Sequence, residues 1–215
     1  MPTTRFLLVR HGETLANREF RYIGERDDAL SERGEEQAER LADALAIFPI
    51  AAIYSSPLSR AYRTAQPIAA RLQQEVQVLS ALAEGRFGAW EGLSRAEVLA
   101  SGPLAEQQLR AWEADPTQAP PGGESFADLQ ARVGLAVEQL AEVHPDQTVV
   151  LVSHVGPIKV LLCRALATPL TSMFNIFLDP ATISVIDWRP SHPTVRLMNS
   201  HAHLGWEHAR WLHMR

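Results

Sequence analysis

The feature that most constrains this chain is the alternation of short apolar runs with longer stretches of helical period. Phe6–Val9 is a continuous apolar run bounded by charge, which is typical of a central strand buried on both faces. Further strand candidates are 51–55, 76–79 and 148–153, and two late runs that alternate like edge strands are 183–188 and 195–198. The alternation predicts an α/β fold, a three-layer α/β/α sandwich around a mostly parallel, mixed sheet with antiparallel strands late in the chain.

Helices are predicted between these strands. Ser31 offers an N-cap to an amphipathic helix whose apolar spacing ends before Pro49. A second helix is expected from about Pro57 to Leu72, with Ser56 as its cap, because proline suits the first turn of a helix. Other helical stretches are 125–143 and 158–166, and the region before them is mostly helical with breaks at 102–103 and 115–116.

Composition narrows the class of protein. A chain of 215 residues with 46% apolar content predicts one domain over 1–215. With 21% charged residues and a net charge of -5, neither disorder nor general affinity for nucleic acid is indicated. The single cysteine, Cys163, excludes an intramolecular disulfide, and no run is long enough for a signal peptide or a membrane span. We therefore expect a cytoplasmic protein with no membrane partner.

Polar and charged side chains follow the predicted parallel strands at the points where they end. The first strand delivers Arg10 and His11, and the stretches after the second, third and fourth deliver Arg60, Glu84 and His154. Because ligands bind beyond the carboxyl ends of the strands in such a sheet, these groups are expected to converge on one site.

Five motifs in order carry a resemblance to a known family. They are 8–14 together with Asn17, then 55–65, 82–92, 121–125 and 152–154, and a closing segment lies at 199–204. Together they resemble the histidine phosphatase superfamily, which has the phosphoglycerate mutase-like fold. The runs 154–159 and 178–184 are most similar to its phosphatase branch, which contains α-ribazole phosphatase-like proteins and phosphatase domains fused to ribonuclease H.

The resemblance implies a metal-independent phosphomonoesterase of the histidine acid phosphatase type, with no cofactor and a small phosphorylated metabolite as its partner. The implied catalytic residues are Arg10, His11, Arg60, Glu84 and His154. The implied phosphate- and substrate-binding residues are Arg10, Gly12, Asn17, Gly24, Arg60, His154 and Val155.

Residue chemistry agrees with these roles. A neutral imidazole with an ordinary pKa of about 6.5 is a competent nucleophile, so His11 can form a phosphohistidine. The guanidinium groups of Arg10 and Arg60 match phosphoryl oxygens and take the place of a metal cation, and His154 adds a donor. Glu84 must keep its proton near neutral pH to protonate the leaving group, which requires a raised pKa.

Alternatives remain for several of these residues. Arg63 competes with Arg60 as the phosphate ligand, and Glu13 and Glu91 compete with Glu84 as the acid. His154 is alternatively a core histidine, and the loop 122–125 is equally a turn and a helix cap. The family often has glycine where this chain has Val155, whose side chain is expected to narrow the pocket.

The C-terminal region is rich in histidine and tryptophan. The histidines at 201, 203, 208 and 213 fit no tetrahedral metal template, so a packed tail is the preferred interpretation over a metal site. The tryptophans at 206 and 211 leave a homodimer patch open as an alternative.

Two rival functions stand beside the phosphatase. A cofactor-primed phosphoglycerate mutase normally has a longer, more basic insertion before the second histidine, whereas Arg110 is the only basic residue between Arg95 and Arg132 here. A phosphoryl-binding module without catalysis is expected to lack the nucleophile or the acid, and neither is missing. The candidate wall around the leaving group consists of Arg86, Phe87, Trp90 and the loop 122–125. The sequence does not identify the leaving group itself.

Overall fold

Six strands form one mixed sheet in the structure, a computed structural model that describes residues 2–189 and 191–212. The strands are β1 (Thr4–Arg10), β2 (Ile50–Ser55), β3 (Val76–Val78), β4 (Thr148–Ser153), β5 (Ile183–Trp188) and β6 (Thr194–Ser200), in the spatial order β3-β2-β4-β1-β5-β6. The first four strands are parallel, while β5 and β6 are antiparallel to their neighbours. The predicted α/β sandwich with a mostly parallel sheet is confirmed.

Seven α-helices connect these strands. They are α1 (Leu15–Arg18), α2 (Glu32–Leu45), α3 (Ser59–Leu72), α4 (Arg95–Ala100), α5 (Pro103–Ala114), α6 (Phe126–Val143) and α7 (Val155–Ala165) within the described part of the chain. Ser31 caps α2 by accepting from the Gly34 N–H, as its sequence predicts. No helix among the described residues is long and apolar enough to cross a lipid bilayer.

Two predicted details are wrong. Helix α3 begins at Ser59 with Leu58 as N-cap, two residues later than expected, because the Ser56 hydroxyl is engaged 2.7 Å from the His154 ring instead of capping a helix. Strand β5 is an internal strand between β1 and β6, although its alternation resembles that of an edge strand. An alternating sequence pattern shows which face of a strand is buried. It does not show whether another strand pairs with it on one side or on both.

The sheet places one apolar layer on each of its faces. Phe6 and Leu8 of β1 face a cluster that includes residues of α6 and α7, such as Val133. The alternate residues of β1, Leu7 among them, face a second cluster with Leu41 of α2 and others from α3. Because apolar side chains pack against both faces of the central strands, the carboxyl ends of these strands are held in fixed positions.

We expect Leu151→Ala to lower the free energy of unfolding by about 2–5 kcal/mol, because Leu151 is buried at the centre of β4 and its truncation leaves a cavity. The matched change Leu135→Ala, on the exposed side of α6, should stay within about 0.5 kcal/mol of the parent. Chemical denaturation of both variants checks this. Equal losses would contradict the placement of the core.

Candidate active site

A cavity of about 350 Å³ lies at the carboxyl ends of the parallel strands. This volume lies within the usual range of small-molecule sites. The predicted residues that line it are Arg10, His11, Asn17, Gly24, Arg60, Glu84 and Val155. His154 lies behind His11, with ring centroids 5.1 Å apart, whereas Gly12 is outside the cavity wall. The structure therefore brings together the groups that topology predicted would meet.

His11 directly follows β1 and is almost completely buried. Its Nδ1 is 2.7 Å from the carbonyl oxygen of Gly12, which can only accept, so Nδ1 carries the proton and Nε2 keeps its lone pair. Burial, followed by the charges of Arg60 and Arg10, holds the pKa of His11 well below its usual value of 6.5. The ring is therefore a neutral base with one free nitrogen.

His154 is the N-cap residue of α7 and is fully buried. Its Nε2 lies 2.7 Å from the Ser56 hydroxyl, which accepts from the Leu58 N–H at 3.3 Å and has its own proton available to donate to Nε2. Its Nδ1 has no hydrogen-bond partner in the described part of the chain. Burial, then the charge of Arg60, holds the pKa of His154 well below 6.5 as well. The ring is thus held through one nitrogen, and the other is buried next to His11.

Two arginines enter the site with their side chains buried. Arg10 donates from Nη1 to the Leu178 carbonyl at 2.5 Å, and Arg60 donates to the carbonyls of Arg26 and Gly24 at 2.6 and 2.7 Å. Burial lowers the pKa of Arg10 to about 10 and lowers that of Arg60, so both remain cations at neutral pH. Since their described partners are neutral carbonyls, the two guanidinium groups create a strong anion site.

The competing arginine lies elsewhere. The Arg63 side chain is 60% exposed and pairs with Glu35 at 3.8 Å on the surface. The carbonyl of Gly24, by contrast, holds the guanidinium of Arg60, and Gly24 has a φ of +57°. A Cβ at Gly24 would lie 2.1 Å from Oε1 of Glu91, so both the backbone conformation and the close contact require glycine.

Glu84 is 5% exposed and lies beside the first turn of α7. Its carboxylate accepts from the N–H groups of Gly85 at 2.9 Å and Gly156 at 3.2 Å. Burial raises the pKa of Glu84, and the Gly85 N–H and the charge of Arg60 oppose part of that rise. The net shift favours the protonated carboxyl at a higher pH than for an ordinary glutamate.

The two competing acids are outside the cavity wall. Glu13 accepts from Arg18 at 2.7 Å and from the Ser31 hydroxyl at 3.1 Å. Glu91 accepts from the backbone N–H groups of Glu25 and Phe87, each at 3.2 Å. Both acids hold loops together, which leaves Glu84 as the only one of the three candidate acids in the cavity wall.

Asn17 and Gly12 have structural bonds of their own. The side-chain oxygen of Asn17 accepts from the Thr14 N–H at 3.1 Å in a capping box, so only its NH2 group is left for a ligand. The N–H of Gly12 donates to the Thr64 hydroxyl at 3.0 Å, and a Cβ there would lie 2.5 Å from the Gly34 carbonyl oxygen. Gly12 thus allows β1 and α2 to approach closely.

The wall for the rest of the ligand is aromatic. It contains Tyr22, Phe87, Trp112, Phe126 and Phe174, of which the sequence indicated only Phe87. Of the other expected wall residues, Trp90 packs behind this layer, 5.6 Å from the ring of Trp112, and Arg86 lies outside the lining. Trp112 carries a weak sequence signal, since it lies three residues after Leu109 and these two are the buried residues of helix α5.

The loop 122–125 lies outside the cavity wall. Ser125 caps α6 by accepting from the Asp128 N–H at 3.1 Å, and Glu124 forms a bidentate pair with Arg132 at 2.8 and 3.0 Å. The loop therefore acts as a turn and a helix cap, the structural alternative left open by the sequence.

The C-terminal histidines have separate partners. His201 Nε2 lies 2.6 Å from Asp179, His203 Nε2 lies 2.9 Å from the Ala181 carbonyl, and His208 accepts from Arg33. His213 lies outside the described residues. These contacts pack the tail against the segment before β5 and against α2, consistent with the preferred interpretation.

Comparisons with known proteins agree with this geometry. The sequence model of the histidine phosphatase superfamily (branch 1) matches residues 6–201. The chain is 40% identical over 203 residues to a bifunctional protein of Mycobacterium tuberculosis, covering 94% of this chain but 55% of that protein, about half its length. It is 36% identical over 202 residues to phosphoserine phosphatase 1 of Hydrogenobacter thermophilus, covering 94% of each chain. A crystal structure of a putative α-ribazole-5'-P phosphatase from Escherichia coli superposes with a TM-score of 0.81 at 32% identity, covering 93% of this chain and 97% of that one.

The buried position of His11 leads to a direct test. Nitrogen NMR of the imidazole should show a neutral ring with the proton on Nδ1, and this state should persist as the pH falls through 6.5, because burial and two neighbouring cations disfavour imidazolium. A His11 signal that titrates like a free imidazole, near pH 6.5, would contradict the described environment.

Proposed function

The chain belongs to the histidine phosphatase superfamily, and we propose that it is a phosphomonoesterase that takes the phosphoryl group of a small metabolite onto His11 and then transfers it to water. One observation carries the proposal: a buried neutral imidazole with a free nitrogen shares a cavity with two buried guanidinium cations. That combination provides a nucleophile and a phosphoryl site in one place.

The first half-reaction transfers the phosphoryl group to the enzyme. The lone pair of His11 Nε2 attacks phosphorus, and the bond from phosphorus to the leaving-group oxygen breaks. Arg10 and Arg60 stabilise the charge on the phosphoryl oxygens, and the free nitrogen of His154 and the Asn17 NH2 group add neutral donors. Since two cations already balance this charge, the proposed reaction needs no metal.

Proton transfers balance the two steps. Glu84 gives its proton to the departing alkoxide, for which the raised pKa suits it. The resulting carboxylate then takes a proton from the water that attacks the phosphohistidine, which releases inorganic phosphate and restores His11. The same group serves both steps because the reaction reverses its role between them.

We favour hydrolysis over transfer between phosphoglycerates. The interval before His154 is short and holds one basic residue, Arg110, whose side chain is exposed and paired with Glu106. The relatives named as phosphoserine and α-ribazole phosphatases support a small phosphomonoester as the substrate class.

We also propose that residues 1–215 form one such domain in the cytoplasm. A single sheet with apolar layers on both faces supports the first point, and the free, buried Cys163 supports the second. A homodimer through Trp206, which is 68% exposed, stays a prediction.

His11→Ala should reduce phosphate release from p-nitrophenyl phosphate to background, because no other described imidazole in the cavity wall can take the phosphoryl group. Rapid quenching of the wild type in alkali, where phosphohistidine survives, should trap one labelled phosphoryl group per chain. His192→Ala, at an exposed histidine, is the matched control and should keep the wild-type rate. Full turnover by His11→Ala would overturn the mechanism.

Glu84→Gln should lower kcat/KM for an alkyl phosphate by about 10²–10⁴-fold, with a much smaller loss for p-nitrophenyl phosphate, whose leaving group needs no proton. The wild-type value for the alkyl ester should also fall as the pH rises through the raised pKa of Glu84, since the proton donor is present only below it. This limb of the profile should vanish in the variant. Equal losses on both esters would argue against a role as acid.

A further inference from the structure

Lys159 is the only lysine in a chain that otherwise uses arginine for its basic side chains. It lies on α7, one helical turn beyond Val155, and both residues line the active-site cavity. The first turn of the same helix binds the carboxyl of Glu84 through the Gly156 N–H. Lys159 therefore lies in the same cavity wall as the predicted proton donor, Glu84, whose charge acts on it.

Lys159 differs from the other cations in the cavity wall. Arg10 and Arg60 belong to the phosphoryl site, Arg21 pairs with Glu97 at 2.8 Å, and Arg95 pairs with Glu113 at 2.7 Å. Within residues 2–189 and 191–212, Lys159 makes neither an ion pair nor a hydrogen bond. It is the one cation of the wall without an assigned partner.

We propose that Lys159 is a specificity-determining residue that binds a carboxylate on the leaving group of the substrate. The inference rests on the proposed function and extends it from the phosphoryl group to the other end of the ligand. A single ammonium balances one negative charge, which suits a carboxylate, whereas a second phosphate dianion would call for an arginine fork of the kind already present at the phosphoryl end.

The surroundings of Lys159 strengthen such a contact. The cavity wall includes the buried aromatic residues Trp112 and Phe126, and a charge interaction is stronger beside such apolar groups than in water. Burial, followed by the charge of Arg10, lowers the pKa of Lys159 to about 8, and the charges of Glu84 and Cys163 oppose part of that fall. A carboxylate bound to the ammonium should reverse this shift, which gives the interaction a direct spectroscopic signature.

A single lysine makes the test unusually direct. The full chain carrying His11→Ala and labelled with ε-¹³C lysine should give one side-chain signal, whose titration midpoint reports on Lys159 without turnover of the ligand. We expect 3-phosphoglycerate to raise this midpoint more than glycerol 3-phosphate, which has the same three-carbon skeleton and a hydroxymethyl group in place of the carboxylate. Equal midpoints with the two ligands would overturn the proposal.

Kinetics give a second, independent readout. Lys159→Met should lower kcat/KM for 3-phosphoglycerate about tenfold or more, mainly through KM, because it removes a charged hydrogen bond. The value for glycerol 3-phosphate should change less than about threefold, since that ester makes no such bond. Equal losses on both esters would assign Lys159 to the phosphoryl group and overturn its role in specificity.

The two proposals fail in different ways. If the wild type released no phosphate from any ester but the lysine signal still distinguished the two ligands, the phosphatase would be wrong and the carboxylate site would stand. If the wild type were an active phosphatase and the signal did not distinguish them, only the role of Lys159 would be wrong.

Discussion

The burial of two guanidinium cations at one edge of the sheet is the constraint on which the rest of the site depends. Arg10 and Arg60 are held by backbone carbonyls, which orient them without neutralising them. Their positive charge adds to burial in keeping His11 and His154 neutral, and it opposes burial in setting the pKa of Glu84. Burial is thus the main cause of the pKa shifts of all three groups, and the same pair of cations modifies each of them.

The convergence of the strand-end residues could be predicted from the sequence because it follows from topology. Parallel strands end at the same edge, so Arg10, His11 and His154 had to meet once β1 and β4 were identified. The partner of His154, Ser56, could not be predicted, because its local pattern also fits a helix cap and only tertiary packing decides between the two uses. The internal position of β5 was missed because an alternating pattern shows which faces of a strand are buried and not which strands pair with it.

The two ends of the cavity are built from different kinds of structure. The phosphoryl end is built on strand ends that the core holds in place. The His11 N–H donates to the Ser153 carbonyl at 3.0 Å, and the Ser153 hydroxyl donates to the Leu82 carbonyl at 2.7 Å. The other end is lined from loops and from α5, including Tyr22, Trp112 and the exposed ring of Phe174. This separation of strand ends from loops allows the residues of the cavity wall to change while the reacting groups keep their relative positions.

Helix α7 carries several parts of the site on one short rigid element. His154 is its N-cap residue, and Gly156, its second residue, donates its N–H to the carboxylate of Glu84. Lys159 lies one turn beyond Val155 on the same helix. When the helix moves relative to the sheet, these groups move together, so the distances between them stay constant. In a site assembled from separate loops, such motion would change those distances. Helix α7 therefore keeps a constant distance between the groups at the phosphoryl end of the cavity and Lys159.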